Sequence, residues 1–176
     1  MALLTPDALR SYSKLFVLLD EAGQERLLAE AVDESFPTGH VIVNEGELGD
    51  AFFLVLEGSL SVRIGGTDAG CEVAQLKHGN FFGEIAALLG EPRSATVVCL
   101  APTRLLRFGG PRISALLTGY PRVREMLVKL GLRRSEDNLQ LLMEEDFPGV
   151  PVATGEGPAV DSELSGSSER PAKKSG

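Results

Sequence analysis

The feature that most constrains the fold is a series of short apolar segments separated by glycines, from Glu34 to about Phe108. Leu60, Val62 and Ile64 alternate with polar residues, which is the period-two pattern of a half-buried strand. The glycines suit turns that need positive φ. The patterns predict six strands: His40–Asn44, Ala51–Leu56, Ser59–Ile64, Cys71–Leu76, Ser94–Leu100 and Thr103–Phe108. Six or more short strands joined by glycine turns favour a sandwich, a jelly roll or a barrel.

Helical periodicity flanks this β segment on both sides. Apolar residues recur at helical spacing over residues 7–31, with a break around Asp20–Gly23, where Asp20 can cap the second of two short helices. Ile113–Leu117 predicts another short helix, and Pro121 opens a long helix that continues to about Glu145. The sequence therefore predicts a mainly β fold with flanking helices (α+β). The predicted segments are an N-terminal helical part (1–33), a β part (34–109), C-terminal helices (110–146) and a disordered Pro/Gly/Ser tail (147–176).

Composition narrows the functional classes. A net charge of −8 opposes broad nucleic-acid binding, which needs a basic face, although it leaves room for one small anion. The apolar runs are too short to cross a bilayer, and the N-terminus lacks the pattern of a secretory signal. Cys71 and Cys99 lie in strand-like runs, which favours buried free thiols in a reducing compartment. We therefore expect a cytoplasmic protein.

The segment from Gly83 to Ala95 interrupts the β pattern with a short helix. Glu84–Leu89 contains only good helix formers and is followed by a glycine. A helix this short is marginal alone, so the fold must hold it, and its free N–H groups and dipole favour an anion near Gly83. Arg93 adds a guanidinium fork that matches two phosphate oxygens, and Ser94 adds a hydroxyl donor. The small Ala95 leaves room, and residues 80–96 together predict a phosphate-binding cassette within the β part.

Glu84 has two interpretations at such a site. A carboxylate repels a phosphate, but it is useful if the ligand also presents a hydroxyl donor nearby. A nucleotide ribose does so, and a 3′,5′-cyclic phosphate leaves the 2′-OH as its free ribose hydroxyl. The other interpretation is an Arg93–Glu84 salt bridge that closes a turn. The residues alone do not decide between the two.

The segment Phe82–Ala86 followed by Arg93–Ala95 resembles the phosphate-binding cassette of the cyclic nucleotide-binding domain family. Glu45–Phe53 and Leu56–Leu60 resemble two motifs of that family's β-roll, and the resemblance spans roughly residues 12–145. It implies an antiparallel β-roll or jelly roll with a short phosphate-cassette helix, N-terminal helices and a long C-terminal helix.

The resemblance also implies a role for each cassette residue. Glu84 would accept from the ribose 2′-OH, Arg93 would pair with the exocyclic phosphate oxygens, and Ser94 would touch the phosphate or the base. Backbone N–H groups would complete the cradle, and the long helix would lie over the purine. The implied ligand-binding residues are Gly83, Glu84, Ile85, Ala86, Arg93, Ser94, Ala95 and, on the long helix, Asn138, with Arg133 and Arg134 as rival residues over the base.

Two functional classes follow. The first is a sensor that binds cyclic AMP or cyclic GMP and signals through movement of its C-terminal helix. The second is a nucleotide-independent interaction module that retains the fold. The intact pair of Glu84 and Arg93 favours the sensor. Ser94 does not settle adenine against guanine, and cyclic AMP is the favoured ligand of the two.

Other chemistry is not indicated. His40 and His78 lie in turns, no Cys/His set has metal-ligand spacing, and no nucleophile is paired with a base, so we expect neither an enzyme nor a metal site nor a further cofactor. Transcription regulators of the family continue into a helix-turn-helix, whereas a Pro/Gly/Ser tail follows the long helix here, so we expect no direct DNA binding. The protein partner is not identified, and the apolar stripe of the long helix allows a homodimer.

Overall fold

The computed structural model describes residues 5–12, 14–66 and 70–146, and the side chains of 14, 15 and 138–146 lie outside this description. The helices are α1 (Pro6–Tyr12), a 3₁₀ helix (Lys14–Leu18), α2 (Glu21–Ala29), α3 (Glu84–Leu89), α4 (Gly110–Thr118) and α5 (Pro121–Asp146). The strands are β1 (Ala31–Phe36), β2 (Val41–Val43), β3 (Ala51–Glu57), β4 (Ser59–Ile64), β5 (Cys71–Lys77), β6 (Phe81–Phe82), β7 (Thr96–Cys99) and β8 (Thr103–Gly109). The predicted tail lies outside the described residues, and the four-segment division remains a prediction.

The strands of the described residues form two four-stranded antiparallel sheets. The first has the order β1-β8-β3-β6 and the second the order β2-β7-β4-β5. In the first sheet β3 and β8 pair side by side, with Phe52 opposite Phe108 and Leu54 opposite Leu106. Helices flank this pair of sheets at both ends of the chain. The fold is an antiparallel β-roll with flanking helices, which confirms the predicted fold class.

Strand β3 is buried on both faces. Phe52, Leu54 and Leu56 belong to the core that the first sheet shares with the helices. Phe53 and Val55 belong to a second core between the two sheets. Because successive side chains of a strand point to opposite faces, a strand between two cores needs an apolar residue at every position. This explains why β3 lacks the alternation seen in β4.

Two strands, β1 and β6, were not predicted from the sequence. Half of the six β1 residues are apolar, but they do not alternate with the polar ones, and Ala31 fits the end of the helical pattern of residues 7–31, so the segment gives no strand signal of its own. It is held instead by β8, pairing from Ala31 opposite Phe108 onward, and by Arg104, whose guanidinium donates to Asp33 at 2.6 Å. Strand β6 is two residues long, which is too short for any periodicity. Both strands form because they pair with strands that are distant in the sequence.

The N-terminal helices are tied to the start of α5. Asp20 caps α2 as predicted, because its carboxylate accepts from the Gly23 N–H at 2.8 Å. The same carboxylate accepts from the hydroxyl of Tyr120, the residue before α5. These hydrogen bonds lower the pKa of Asp20, with the Tyr120 hydroxyl the larger cause. Val123 and Leu127 of α5 complete the attachment by packing into the core that the helices share with the first sheet.

Candidate ligand-binding site

A cavity of about 270 Å³ opens between the β-roll, α3 and α5. Seven of the predicted site residues line it: Gly83, Glu84, Ile85, Ala86, Arg93, Ser94 and Ala95. The side chain of the eighth, Asn138, lies outside those described. The fold therefore brings the predicted cassette residues together on one cavity.

Gly83 is required by backbone shape and by space. It has φ +82°, in the left-handed region that favours glycine. A Cβ here would lie 2.5 Å from Nη1 of Arg93 and 3.0 Å from the Ala51 carbonyl oxygen. The chain turns at Gly83 from β6 directly into α3. A side chain at this position would occupy the space that the Arg93 guanidinium fills.

The Arg93 side chain packs between two glycines, Gly49 and Gly83. A Cβ on Gly49 would lie 2.4 Å from its Nε and Nη2, just as one on Gly83 would contact Nη1. Its Nη1 donates to the Gly83 carbonyl oxygen at 3.1 Å, and its backbone N–H donates to the Glu47 carbonyl oxygen at 2.8 Å. The side chain is 7% exposed. The glycine-rich motif at Glu45–Phe53 thus forms part of the surface on which the Arg93 side chain packs. Sequence reasoning did not assign this role to the motif.

Glu84 is the other charged group buried at the cavity, and it is 3% exposed. Burial raises the pKa of Glu84, and this shift is opposed by a hydrogen bond from its own backbone N–H and by the charges of Arg134 and Arg93. Burial likewise lowers the pKa of Arg93, against the effect of nearby carboxylates. Within the described part of the chain, no ion pair of 4.0 Å or less joins Glu84 to Arg93. The two charges face one cavity without forming the direct salt bridge of the alternative interpretation.

The rest of the cavity provides an apolar surface beside these charges. Ser94 is exposed at the cavity, whereas Ala95 is buried in the core between the sheets. The apolar surface comes from both sheets and the turn before β7: Val43, Val62, Ala74, Leu76, Phe82, Pro92 and Val97. A flat apolar ring system can pack on such a surface while its polar substituents reach the cassette.

Helix α5 supplies the facing wall through Gly131, Arg134 and Ser135. A Cβ on Gly131 would lie 2.6 Å from Oε1 of Glu84 and 2.6 Å from Cδ1 of Ile85, so the helix approaches the cassette closely at this point. Arg134 donates to the carbonyl oxygen of Phe81 and lies 5.0 Å above the Phe81 ring. Of the rival arginines, Arg134 lines the cavity and Arg133 is exposed.

Sequence reasoning did not identify Gly131 or Ser135. A glycine inside a long helical pattern was the available signal for the first, because it costs helix stability and usually has a packing reason. Ser135 gave no signal, since a serine on a helix is ordinary. Its hydroxyl donates to the Gly131 carbonyl oxygen at 3.2 Å.

The remaining chemically active side chains lie away from the cavity. His40 and His78 are exposed next to turns, where His40 stacks on Phe36 and Nδ1 of His78 lies 2.7 Å from the Leu56 carbonyl oxygen. Cys71 and Cys99 are free thiols, as expected, but Cys71 is half-buried rather than buried. Burial raises the pKa of Cys99. Over the part of the chain that the structure describes, no helix combines the length and apolarity needed to cross a bilayer.

The fold and the cavity together define a class of protein. A β-roll carries a buried guanidinium, a buried carboxylate and an apolar wall around one enclosed space, and a helix covers that space. Such a cavity suits a small ligand with an anionic group, a hydroxyl donor and a flat apolar body.

Comparison with known proteins identifies the family. The sequence profile of the cyclic nucleotide-binding domain matches residues 33–120. The chain belongs to the cyclic nucleotide-binding domain family, which confirms the resemblance found in the cassette. The domain that defines this family is a regulatory domain that binds a ligand.

Individual relatives agree with this assignment. The chain is 40% identical over 110 residues to a cGMP-dependent protein kinase of Toxoplasma gondii, a match that covers 62% of this chain and 11% of the kinase. It is similar to the catabolite activator protein of Thermus thermophilus, with 31% identity, a TM-score of 0.62 and coverage of 76% of this chain and 63% of the other. It is also similar to the regulatory domain of Toxoplasma gondii PKA solved with cAMP, with 27% identity, a TM-score of 0.62 and coverage of 70% and 47%.

Proposed function

We propose that this chain is a cyclic nucleotide sensor that binds cyclic AMP or cyclic GMP in the cavity between the β-roll and α5. Arg93 pairs with the exocyclic phosphate oxygens, and Glu84 accepts from the ribose 2′-OH. The observation that carries the proposal is a pair of opposite charges, 7% and 3% exposed, that face one cavity without forming a direct ion pair within 4.0 Å. Burying two charges is costly unless each gains a partner, and a ligand with an anion and a hydroxyl supplies both.

The backbone of the cassette supports the same ligand. The N–H groups of Glu84, Ile85 and Ala86 lie in the first turn of α3, where they have no acceptor four residues earlier within the helix. Those of Ser94 and Ala95 lie beside Arg93. In this proposal the two sets form the cradle around the phosphate. The cyclic GMP-dependent kinase and the PKA domain solved with cAMP support the ligand class without choosing the base.

The signal leaves the domain through α5. This helix contacts the cassette at Gly131 and Arg134, so occupancy of the cavity changes the surface on which the helix packs. A ligand shifts a conformational equilibrium when it binds two positions of an element with different affinity. A nucleotide held between the cassette and α5 meets that condition. The receiver is a protein partner or a second copy contacting α5, and the domain performs no catalysis itself.

Calorimetric titration of the full chain with each nucleotide tests the proposal. Cyclic AMP and cyclic GMP are compared with 5′-AMP and 5′-GMP, which keep the base and ribose but carry a dianionic phosphate and a free 3′-OH. Saturable binding of at least one cyclic nucleotide, tighter than that of its linear counterpart, is the expected result. Absence of binding by both cyclic nucleotides to the folded chain would exclude the sensor and leave the nucleotide-independent interaction module.

A further inference from the structure

Arg134 is the charged side chain of the cavity that the cassette does not explain. It projects from α5 into the space lined by Glu84 and Arg93. Its guanidinium lies above the Phe81 ring and donates one N–H to the Phe81 carbonyl oxygen, which fixes its plane. A guanidinium has five N–H donors in a planar fork and no acceptor, so donors remain after this bond is made.

The other polar side chains that line the cavity outside Gly83–Ala95 are of a different kind. Among the described residues these are Gln75, Asn80 and Ser135. Each carries an oxygen that accepts as well as a group that donates. Gln75 donates to Glu72 at 2.8 Å, and the Asn80 oxygen accepts from the Lys77 N–H at 2.9 Å. Of these four cavity-lining side chains, Arg134 is therefore the one that only donates, and in the proposed complex it faces the base.

Purine bases differ at the edge that such a donor reads. Guanine presents two neighbouring acceptors, O6 and N7, which an arginine fork binds through two parallel hydrogen bonds. Adenine presents one acceptor, N7, beside the N6 amino group, which is a donor. A guanidinium facing the N6 amino group places donor against donor. The same side chain therefore attracts one base and disfavours the other.

We propose that Arg134 is a specificity-determining residue that makes the cavity select a guanine nucleotide over an adenine nucleotide, by donating to O6 and N7 of the base. This inference rests on the proposed function, and it replaces the preference for cyclic AMP drawn from the sequence. The selectivity comes from α5, a helix remote from the cassette in sequence. The cassette residues read the phosphate and ribose that both nucleotides share.

The test compares both nucleotides on the full-length wild type, Arg134→Gln, Arg134→Lys and the control Arg133→Gln. Because Arg133 is the exposed neighbour, the control removes the same charge from the same helix turn. We expect the wild type to bind cyclic GMP roughly tenfold to a hundredfold tighter than cyclic AMP, and Arg134→Gln to abolish most of that ratio. Arg134→Lys keeps the charge without the fork and should lose most of the ratio too. Arg133→Gln should leave it unchanged.

The ratio of the two dissociation constants is the readout, because Arg134 also lies near Glu84 and supports its charge. Loss of that support weakens both nucleotides equally and cancels in the ratio. Inosine 3′,5′-cyclic monophosphate, which keeps O6 and N7 but lacks the guanine 2-amino group, should respond to Arg134→Gln as cyclic GMP does.

Three outcomes would overturn the inference. Equal losses for both bases in Arg134→Gln would mean that Arg134 stacks on the base or holds α5 without reading it. A wild-type preference for cyclic AMP would contradict hydrogen bonding from Arg134 to O6 and N7 of guanine. A cyclic GMP preference that survives in Arg134→Gln would assign selectivity elsewhere. Each of these leaves the sensor function standing, whereas binding of neither nucleotide would overturn both proposals.

Discussion

The two walls of the cavity are built in different ways. The cassette wall comes from one short stretch, Gly83–Ala95, which contains a six-residue helix between two left-handed glycines, and one other loop contributes Gly49 beside Arg93. The α5 wall comes from residues far along the chain, and its contact through Arg134 to Phe81 spans 53 positions. In the proposed complex, the charges of the first wall bind the sugar phosphate and the second wall faces the base. The two proposals therefore assign ligand class and ligand selectivity to separate parts of the molecule.

The largest effect should come from Arg93 in the cassette wall. The proposed charge-assisted hydrogen bonds from Arg93 to phosphate would each be worth about 1.5–3 kcal/mol, so Arg93→Ala should weaken nucleotide binding roughly tenfold to a hundredfold or more. Calorimetry measures the change. Arg107→Ala is the matched control, because Arg107 is a neighbouring arginine beside Asp50 that does not line the cavity.

Because Arg93 is buried, circular dichroism and thermal unfolding must accompany the titration. Arg93→Lys keeps the charge but not the fork, and an intermediate affinity is expected from it. Unchanged affinity in a folded Arg93→Ala variant would show that the phosphate of the nucleotide does not bind at the cassette.

The next effect tests whether the cassette wall reads the ribose. Glu84→Gln keeps the size of the side chain but loses the anionic acceptor, and affinity for the parent nucleotide should fall roughly tenfold. The 2′-deoxy analogue lacks the hydroxyl and should respond much less. Glu91→Gln, an exposed neighbour, should change neither ligand.

The pH dependence gives an independent check of Glu84. Because burial raises its pKa, the carboxylate gains a proton at a higher pH than an ordinary glutamate does as the pH falls. Wild-type affinity for the parent nucleotide should therefore decrease on acidification, and Glu84→Gln should lose this part of the dependence. Equal losses for the parent and the deoxy nucleotide on mutation would place Glu84 away from the 2′-OH.

A smaller effect tests the contact between the walls. Gly→Ala in a helix interior normally stabilises by about 1 kcal/mol. At Gly131 the new Cβ would lie 2.6 Å from side-chain atoms of Glu84 and Ile85, so either those side chains or α5 must shift. Affinity should then fall several-fold without a gain in melting temperature. Gly119→Ala is the control: Gly119 follows α4 with right-handed helical φ and ψ, and its nearest neighbour would be the Leu116 carbonyl oxygen at 3.5 Å. A more stable Gly131→Ala variant with full affinity would show that close approach is not needed.

The smallest signal is the response of the α5 wall to ligand. If α5 is the output element, amide hydrogen exchange over Pro121–Asp146 should slow when nucleotide is added, beyond the slowing within the cassette itself. Protection confined to Gly83–Ala95, with identical exchange in α5 at saturation, would make the chain a binder whose helix carries no signal.

The sequence by itself determined the parts that are local. Short apolar runs separated by glycines predicted a sandwich, jelly roll or barrel of short strands, and the family resemblance added the β-roll. The helix formers between Gly83 and Gly90 predicted α3 with the bounds that the structure has. The capping of α2 by Asp20 could also be predicted, because the N–H group that the Asp20 carboxylate accepts from lies only three residues away. Each of these signals is contained within a few residues, where backbone preference and side-chain chemistry act directly.

The tertiary structure decided what depends on distant partners. Strand β1 exists because β8 pairs with it, and the two glycines around Arg93 act together because separate loops meet there. The choice between Arg133 and Arg134 shows the physical reason most plainly. A helix turns once in about 3.6 residues, so neighbouring side chains point in different directions, and the sequence presents two equivalent arginines. The docking of α5, with Gly131 against Glu84 and Ile85, fixes the helix rotation that leaves Arg133 exposed and turns Arg134 into the cavity.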